Sequence, residues 1–329
     1  MDWLIIIAAI VSFLGTFFLV PWFIKYLRAI GMQVKDLNKV KEPMVPLSGG
    51  FPVLAGIFAG VLFFVFFEVF FSFGDGLNEG MVILFASLLA LLILTLIGFL
   101  DDMLIKKDGS ESIGLKAWQR ILLTFVAVIP FIVINPGTHT MALPFVGSVS
   151  FGWSYALILL PLGFVFAANM VNMLAGLNGL ESGLGLIYTG MLGAYAFVNG
   201  SFVAALILFI AFAALLAFFV FNKYPAKIFP GDSLTYLLGG VLAVSAVIGN
   251  IEKAVLIVSI PFIIEFILKL RGKFKVKSYG YEKNGGIHSH HKKIYSLTHL
   301  FMGRGWTERQ IVWGLMFVEL VFASLIWVI

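Results

Sequence analysis

The chain has 329 residues, 61% of them hydrophobic and only 12% charged, whereas a soluble domain is about half apolar and a quarter charged. A water-soluble fold of this length could not hide that much apolar surface, so the composition predicts a polytopic membrane protein. The absence of cysteine excludes disulfides, thiolate catalysis and cysteine-ligated metal sites. The net charge of +5 follows from topology, as shown below, and does not require a nucleic-acid partner.

Apolar runs of spanning length predict helices at roughly 3–24, 50–72, 80–100, 117–135, 152–171, 181–198, 202–221, 233–249, 254–270 and 309–328. The fold class is therefore an all-α polytopic membrane protein of about ten transmembrane helices, one integral-membrane domain over residues 1–329. The first run does not resemble a signal peptide: Asp2 is the only charge before it, and it is too long for an h-region. An even helix count puts both termini on one side and sorts the connections into two sets. One set is 25–49, 101–116, 172–180, 222–232 and 271–308. With the adjoining helix ends it holds every Lys and Arg except Lys253, out of 22. The positive-inside rule makes this face cytoplasmic and leaves both termini outside. The predicted location is the cell membrane, and these cations also attract anionic membrane lipids and anionic substrates. Between the fourth and fifth helices, residues 136–151 place Pro136-Gly137, Pro144 and Gly147 among β-prone residues, which predicts a small external hairpin.

The unusual polar residues collect in the cytoplasmic set, at helix ends, rather than at mid-membrane where a transporter would hold them. In the first loop, Lys41-Glu42-Pro43-Met44-Val45-Pro46-Leu47-Ser48-Gly49-Gly50 is stiffened by proline, and its glycines allow close backbone approach. Asp101-Asp102 ends the third helix. Adjacent carboxylates there repel each other and oppose the helix dipole unless a cation or proton joins them. Asn169, Asn172 and Asn178 sit at a membrane boundary and are costly without partners. Their amides can ligate a hard cation or read a base edge. Asn178 with Glu181 also reads as a helix cap with its capping-box glutamate. Phe229-Pro230-Gly231-Asp232-Ser233 brings one carboxylate to the start of a helix. The last loop carries Arg271, Lys273, Lys275 and Lys277, suited to phosphate, and His288-Ser289-His290-His291, whose spacing does not close a zinc site. Asp101, Asp102, Asp232 and Asn172 match the needs of Mg²⁺, which takes one or two carboxylates and completes its shell with phosphates and water. Mn²⁺ is the alternative.

These motifs together resemble the polyprenyl-phosphate N-acetylhexosamine-1-phosphate transferases over nearly the whole chain. Ala175-Gly176-Leu177-Asn178-Gly179-Leu180-Glu181 is similar to the dolichol-pathway version, whereas the peptidoglycan version typically has aspartates where Ala175 and Asn178 stand. The resemblance implies UDP-N-acetylglucosamine as donor and, in an archaeal-like chain, dolichyl phosphate as acceptor, with UMP released. It implies Asp232 and Asn172 as Mg²⁺ ligands, Asn178 as a uracil contact, Lys116 as a phosphate contact, and Asp101 or Asp102 as the group that positions or deprotonates the acceptor phosphate. Lys41, Asn169, Glu181, Arg271, Lys273, His290 and His291 complete the expected substrate-binding set. The chain departs from the family at Ile105, where an Asp or Asn is common. In the last loop Thr307-Glu308-Arg309-Gln310 offers a second alignment, which would put His299 at the end of the histidine motif.

The expected reaction is direct attack of the lipid phosphate on the β-phosphorus, and an aspartyl intermediate is the competing route. A lipid or solute transporter is the rival function, but Pro130, Pro161 and Pro261 lie in spans without charge pairs. Among intramembrane acids, Glu265 is close enough to the cytoplasmic end to reach the site, while Glu68 and Glu319 are expected against other helices or at a subunit interface. Gly56-x-x-x-Gly60 can pack on a helix of the same chain or of a second copy in a homodimer.

Overall fold

The computed structural model describes residues 2–71, 79–104, 114–134, 140–143 and 147–328. Each predicted apolar run is helical. The chain enters through α1 (Asp2–Ala29), then α2 (Gly50–Phe71), α3 (Glu79–Asp102) and α4 (Ala117–Ile134). A π-helical turn, Tyr155–Leu159, leads into α5 (Leu160–Met173), followed by α6 (Leu180–Val198), α7 (Phe202–Asn222) and α8 (Gly231–Gly249). Next come α9 (Glu252–Val258), α10 (Ile260–Arg271), the short α11 (Leu297–Met302) and α12 (Glu308–Ser324). Among the described residues, seven helical segments are long and apolar enough to cross a bilayer: α1, α2, α3, the π turn with α5, α7, α8 and α12 with its terminal 3-10 turn. The chain is thus a multi-pass membrane protein. The apolar part of α4 is shorter, Trp118–Ile134, and α6 is diluted by Glu181, Ser182, Thr189 and its glycines.

The run expected as one helix over 254–270 is two. Ser259 caps α9 and precedes α10, with Pro261 in the first turn of α10. Proline has no N–H to continue the ladder and its ring crowds the preceding turn. Ser259 closes the break by donating its N–H and Oγ–H to the Val255 carbonyl at 3.0 and 2.7 Å.

Among the described residues, three two-stranded antiparallel ribbons decorate the bundle. The hairpin expected in 136–151 is present as β3 (Thr140–Leu143) and β4 (Gly147–Ser150), Leu143 facing Gly147; the residues between lie outside those described. Two more were not anticipated: β1 (Gln33–Lys35) with β2 (Met44–Pro46) in the first loop, and β5 (Tyr281–Lys283) with β6 (Gly286–His288) in the last. Both segments are short, charged and prolyl or glycyl, so alternation of polar and apolar residues is too brief to signal strand.

At the centre stands α8, buried at every residue from Ser233 to Val247 and packed against α2, α3, α5 and α7. Lipid is as apolar as a leucine side chain, so such packing relies on close van der Waals contact at small residues. Gly56 and Gly60 show this on α2. A Cβ at Gly56 would lie 1.9 Å from Thr16 Oγ1, and one at Gly60 would lie 2.8 Å from the Ala8 carbonyl. That face is filled by α1 of the same chain.

Candidate active site

The end of α3 and the start of α8 interlock. Asp102 Oδ1 accepts the Asp232 N–H at 2.6 Å, and Oδ2 accepts the Ser233 N–H at 3.1 Å. A carboxylate that would oppose the dipole of its own helix thereby caps the exposed N–H groups of another, where negative charge is favoured. Residue 231 must be glycine for this. Its φ is +67°, and a Cβ there would meet Asp102 Oδ2 at 2.4 Å. Gly98 lets α3 approach just as closely, its hypothetical Cβ 2.2 Å from the Asp232 carbonyl. The Ser48-Gly49-Gly50 segment wraps the other side. Ser48 Oγ bonds Ser233 Oγ at 2.8 Å, and the Gly49 N–H reaches the Pro230 carbonyl at 2.7 Å.

Asp101 faces α4. Its carboxylate accepts the Leu115 N–H and, at 2.9 Å, the Arg120 guanidinium. The same Arg120 nitrogen lies 3.9 Å from Asp232 Oδ2. The like-charge cost of the aspartate pair is thus met by Arg120 on one carboxylate and a helix terminus on the other.

The asparagine segment turns between α5 and α6 through Gly176 (φ +105°) and Gly179 (φ +86°). Gly179, not Asn178, precedes α6, so the expected capping box does not form. Asn178 is drawn elsewhere. Its Nδ2 donates to Glu308 Oε1 at 2.5 Å and to Asp36 Oδ2 at 3.0 Å, and its Oδ1 accepts the Ala226 N–H at 2.8 Å. Glu181 accepts the Gly176 N–H on Oε1 at 2.8 Å. Its Oε2 is buried and finds no protein partner.

These groups surround a cavity of about 400 Å³ whose walls include Asp102, Asn172, Glu181, Asp232, Thr235, Phe229, Lys277 and Tyr279. All five connections assigned from sequence to one face contribute to this end of the bundle. Of the expected residues, Asp102, Asn172, Glu181 and Asp232 line the cavity, and Asp101 acts on it through Arg120. Asn169 sits one turn before Asn172, donating to the Val165 carbonyl at 2.8 Å and accepting from Tyr236 Oη at 3.4 Å. Asn178 braces the wall from behind. Lys41, Lys116, Arg271, Lys273, His290 and His291 are exposed and do not line this cavity.

The profile of the family described as glycosyl transferase family 4 matches residues 83–250. A protein of Saccharolobus solfataricus, provisionally named UDP-N-acetylglucosamine–dolichyl-phosphate N-acetylglucosaminephosphotransferase, is 34% identical over 97% of this chain and 94% of its own length. A relative of the same provisional name from Sulfolobus acidocaldarius is 34% identical over 98% of this chain and 94% of its own. The phospho-N-acetylmuramoyl-pentapeptide-transferase of Geobacillus thermodenitrificans is 31% identical over 98% and 96%. The chain belongs to glycosyl transferase family 4.

In this member of glycosyl transferase family 4, several site groups escape sequence reasoning. Among the described residues, Arg120, four residues beyond Lys116, is a cation that reaches Asp101 and Asp232. Lys39, not Lys41, is the inward lysine of the first loop, paired with Glu308 and 3.7 Å from Asp36. The only signal for Arg120 was a cation set within the first turn of an otherwise apolar helix. The last loop is held down by Glu265, whose Oε2 accepts the Leu297 N–H at 2.7 Å and whose Oε1 accepts from Ser278 Oγ at 3.3 Å. This acid anchors the loop and does not line the cavity. His299 is buried. Its Nδ1 accepts the Tyr295 N–H at 3.4 Å, and its Nε2 sits 3.0 Å from the Lys277 carbonyl. Burial first, with smaller electrostatic contributions from the neighbouring His291, Lys269 and His290, pulls its pKa down to about 4, so the ring is neutral at pH 7. Burial also lifts the Tyr279 phenol to about 12, keeping it a donor on the cavity wall.

The donors around the cavity suit a hard divalent cation. They are oxygens of Asp102, Asn172, Glu181 and Asp232, and one Glu181 oxygen is buried without a partner. Among the described residues no three His, Asp or Glu side chains form a closed metal cage. An open carboxylate–amide set of this kind leaves coordination positions for phosphate and water, as Mg²⁺ prefers.

Proposed function

We propose that this protein transfers N-acetylhexosamine-1-phosphate, with N-acetylglucosamine as the sugar, from its UDP derivative to a polyprenyl phosphate of the dolichyl type, releasing UMP. The reading carries with it ten membrane crossings, both termini outside, and a site on the cytoplasmic face of the cell membrane. The observation that carries it is the convergence of Asp102, Asn172, Glu181 and Asp232 on one cavity at the cation-rich end of the bundle. The names borne by the archaeal relatives support it, and Ala175 and Asn178 in place of aspartates favour N-acetylglucosamine over a muramoyl-peptide donor.

Asp232 and Asn172 would hold Mg²⁺, with the free oxygen of Glu181 within the same cavity, and the cation when bound there supplies charge neutralisation to the diphosphate. The chain's own groups do the positioning. Arg120 orients Asp232 while neutralising Asp101, and the interlocked start of α8 keeps the Asp232 backbone rigid. Lys277 and the Tyr279 hydroxyl on the wall offer donors to phosphate oxygens. An oxygen of the lipid phosphate attacks the β-phosphorus, and the bond to the bridging oxygen of UMP breaks in line. A phosphate monoester is already largely ionised at neutral pH, so no strong base is required. Both oxygens of Asp102 accept backbone N–H groups, and Asp101 is ion-paired. Neither is poised as a nucleophile, which supports direct displacement over an aspartyl intermediate.

The test is transfer of label from UDP-N-acetylglucosamine to dolichyl phosphate by purified protein, with and without Mg²⁺, beside Asp232→Ala. Metal-dependent labelling with UMP release, absent in the variant, is expected. Folded protein that labels no prenyl phosphate from any UDP-sugar would overturn the reading, and a trapped phospho-enzyme on Asp101 or Asp102 would overturn the direct route.

A further inference from the structure

A second, larger cavity of about 780 Å³ opens between the end of α7, the segment after it and the start of α12. Its walls include Lys223, Tyr224, Trp306, Arg309, Trp313 and Phe317, and no carboxylate is among its lining residues as described. Two cations approach the Tyr224 ring, Lys39 at 4.1 Å and Arg309 at 5.5 Å from its centroid. Asn178 is shared between this cavity's lining and the network behind the first one. Lys223 and Arg309 are both exposed and neither bonds to a carboxylate in the described ion pairs.

From its floor the cavity runs onto the outer face of α12. Trp313 and Phe317 are 61% and 66% exposed, and Leu320 and Val321 continue the exposed stripe. The spacing i, i+4, i+7, i+8 makes that stripe one continuous apolar face. A basic, aromatic-lined head region joined to an apolar track matches an amphiphile with an anionic head and hydrocarbon tails. A soluble anion would leave the track unused, and a second copy of this chain would bring two like-charged mouths together.

We propose that this cavity binds the phosphate head of an anionic membrane phospholipid, with its tails along Trp313 and Phe317. The bound head would sit between Lys223 and Arg309. Those residues flank the two segments that clamp Asn178, namely the turn at Ala226 and the start of α12 at Glu308. Binding therefore stiffens the wall shared with the first cavity. The proposal concerns a lipid and not the acceptor substrate, and it is read by retention rather than turnover, so it stands or falls separately from the transferase reading.

The experiment reconstitutes the full chain in phosphatidylcholine nanodiscs with graded phosphatidylglycerol. Retained phosphatidylglycerol is counted by native mass spectrometry after detergent transfer, and the melting temperature is recorded in parallel. The wild type is expected to keep one phosphatidylglycerol and to melt higher as its fraction rises. Lys223→Ala with Arg309→Ala should weaken retention ~30-fold, the effect of removing two cations at a membrane surface. Lys223→Arg with Arg309→Lys should keep retention and serves as the folded control. Equal retention by the alanine pair, or the same stabilisation from millimolar inorganic phosphate, would overturn the lipid assignment.

Discussion

Among the described residues, Arg120 joins two carboxylates of the site, Asp101 and Asp232. It sits 2.9 Å from Asp101, which is 2% exposed, and removing it takes a guanidinium away from that buried carboxylate. Arg120→Ala should destabilise the protein by about 1–3 kcal/mol, below the value for a fully buried pair because the arginine is partly solvated. It should also lower kcat with little change in KM, because its partner Asp232 lines the cavity; thermal melting and steady-state kinetics check both. His299 gives the site a pH signature. Its pKa is about 4 when folded, against 6.5 in an unfolded chain. Between those values the unfolded state binds more protons, so stability falls as pH drops from 6.5 towards 4. Melting temperature measured across that window should decline in the wild type and decline less in His299→Gln. Some of this was legible in the chain and some was not. Asp232, Asn172 and Glu181 stand out because polar groups at a membrane boundary are expensive. The choice of Lys39 over Lys41, or Arg120 over Lys116, depends on partners far away in sequence.

At the scale of elements, the loops are organised by the first turn of α12. Glu308 takes the Asn178 N–H at 2.7 Å, the Asn178 amide and the Lys39 ammonium, joining the first loop, the asparagine turn and the last helix. Glu308→Ala should leave Lys39 and the Asn178 side chain with Asp36 alone as their acidic partner and the Asn178 N–H without its acceptor, at a cost of about 3 kcal/mol and with a loss of activity. Glu308→Gln, which keeps an acceptor, should recover part of the stability but not the ion pair with Lys39. The junction of α3 and α8 is tested separately. Gly98→Ala drives a methyl group into the Asp232 backbone, and an overpacked core costs about 1–3 kcal/mol. The resulting shift of Asp232 should reduce transfer more than it reduces the melting temperature. The helices themselves were readable from hydropathy. The exception was the break at Ser259, where Pro261 divides a run that composition alone presents as continuous.

For the whole molecule, the asymmetry of lysine and arginine predicts which way the bundle sits in the membrane. The natural absence of cysteine makes this directly measurable. Lys275→Cys should be labelled by a membrane-impermeant maleimide only after the cytoplasmic side is opened, and Lys253→Cys should be labelled from outside in intact cells. The reverse pattern would invert the topology and place the cavity lined by Asp102 and Asp232 outside. What the sequence by itself determined was the membrane class, the helical runs and the set of connections in which the costly polar residues collect. A bilayer imposes a one-dimensional test on every segment, its apolar length, and penalises each misplaced polar group. Only the tertiary structure decided which loop residues face inward, why two adjacent aspartates are tolerated, and that a second basic cavity lies behind Asn178. Those outcomes rest on contacts between residues as far apart as Lys39 and Glu308, and no local pattern encodes a partner at that distance.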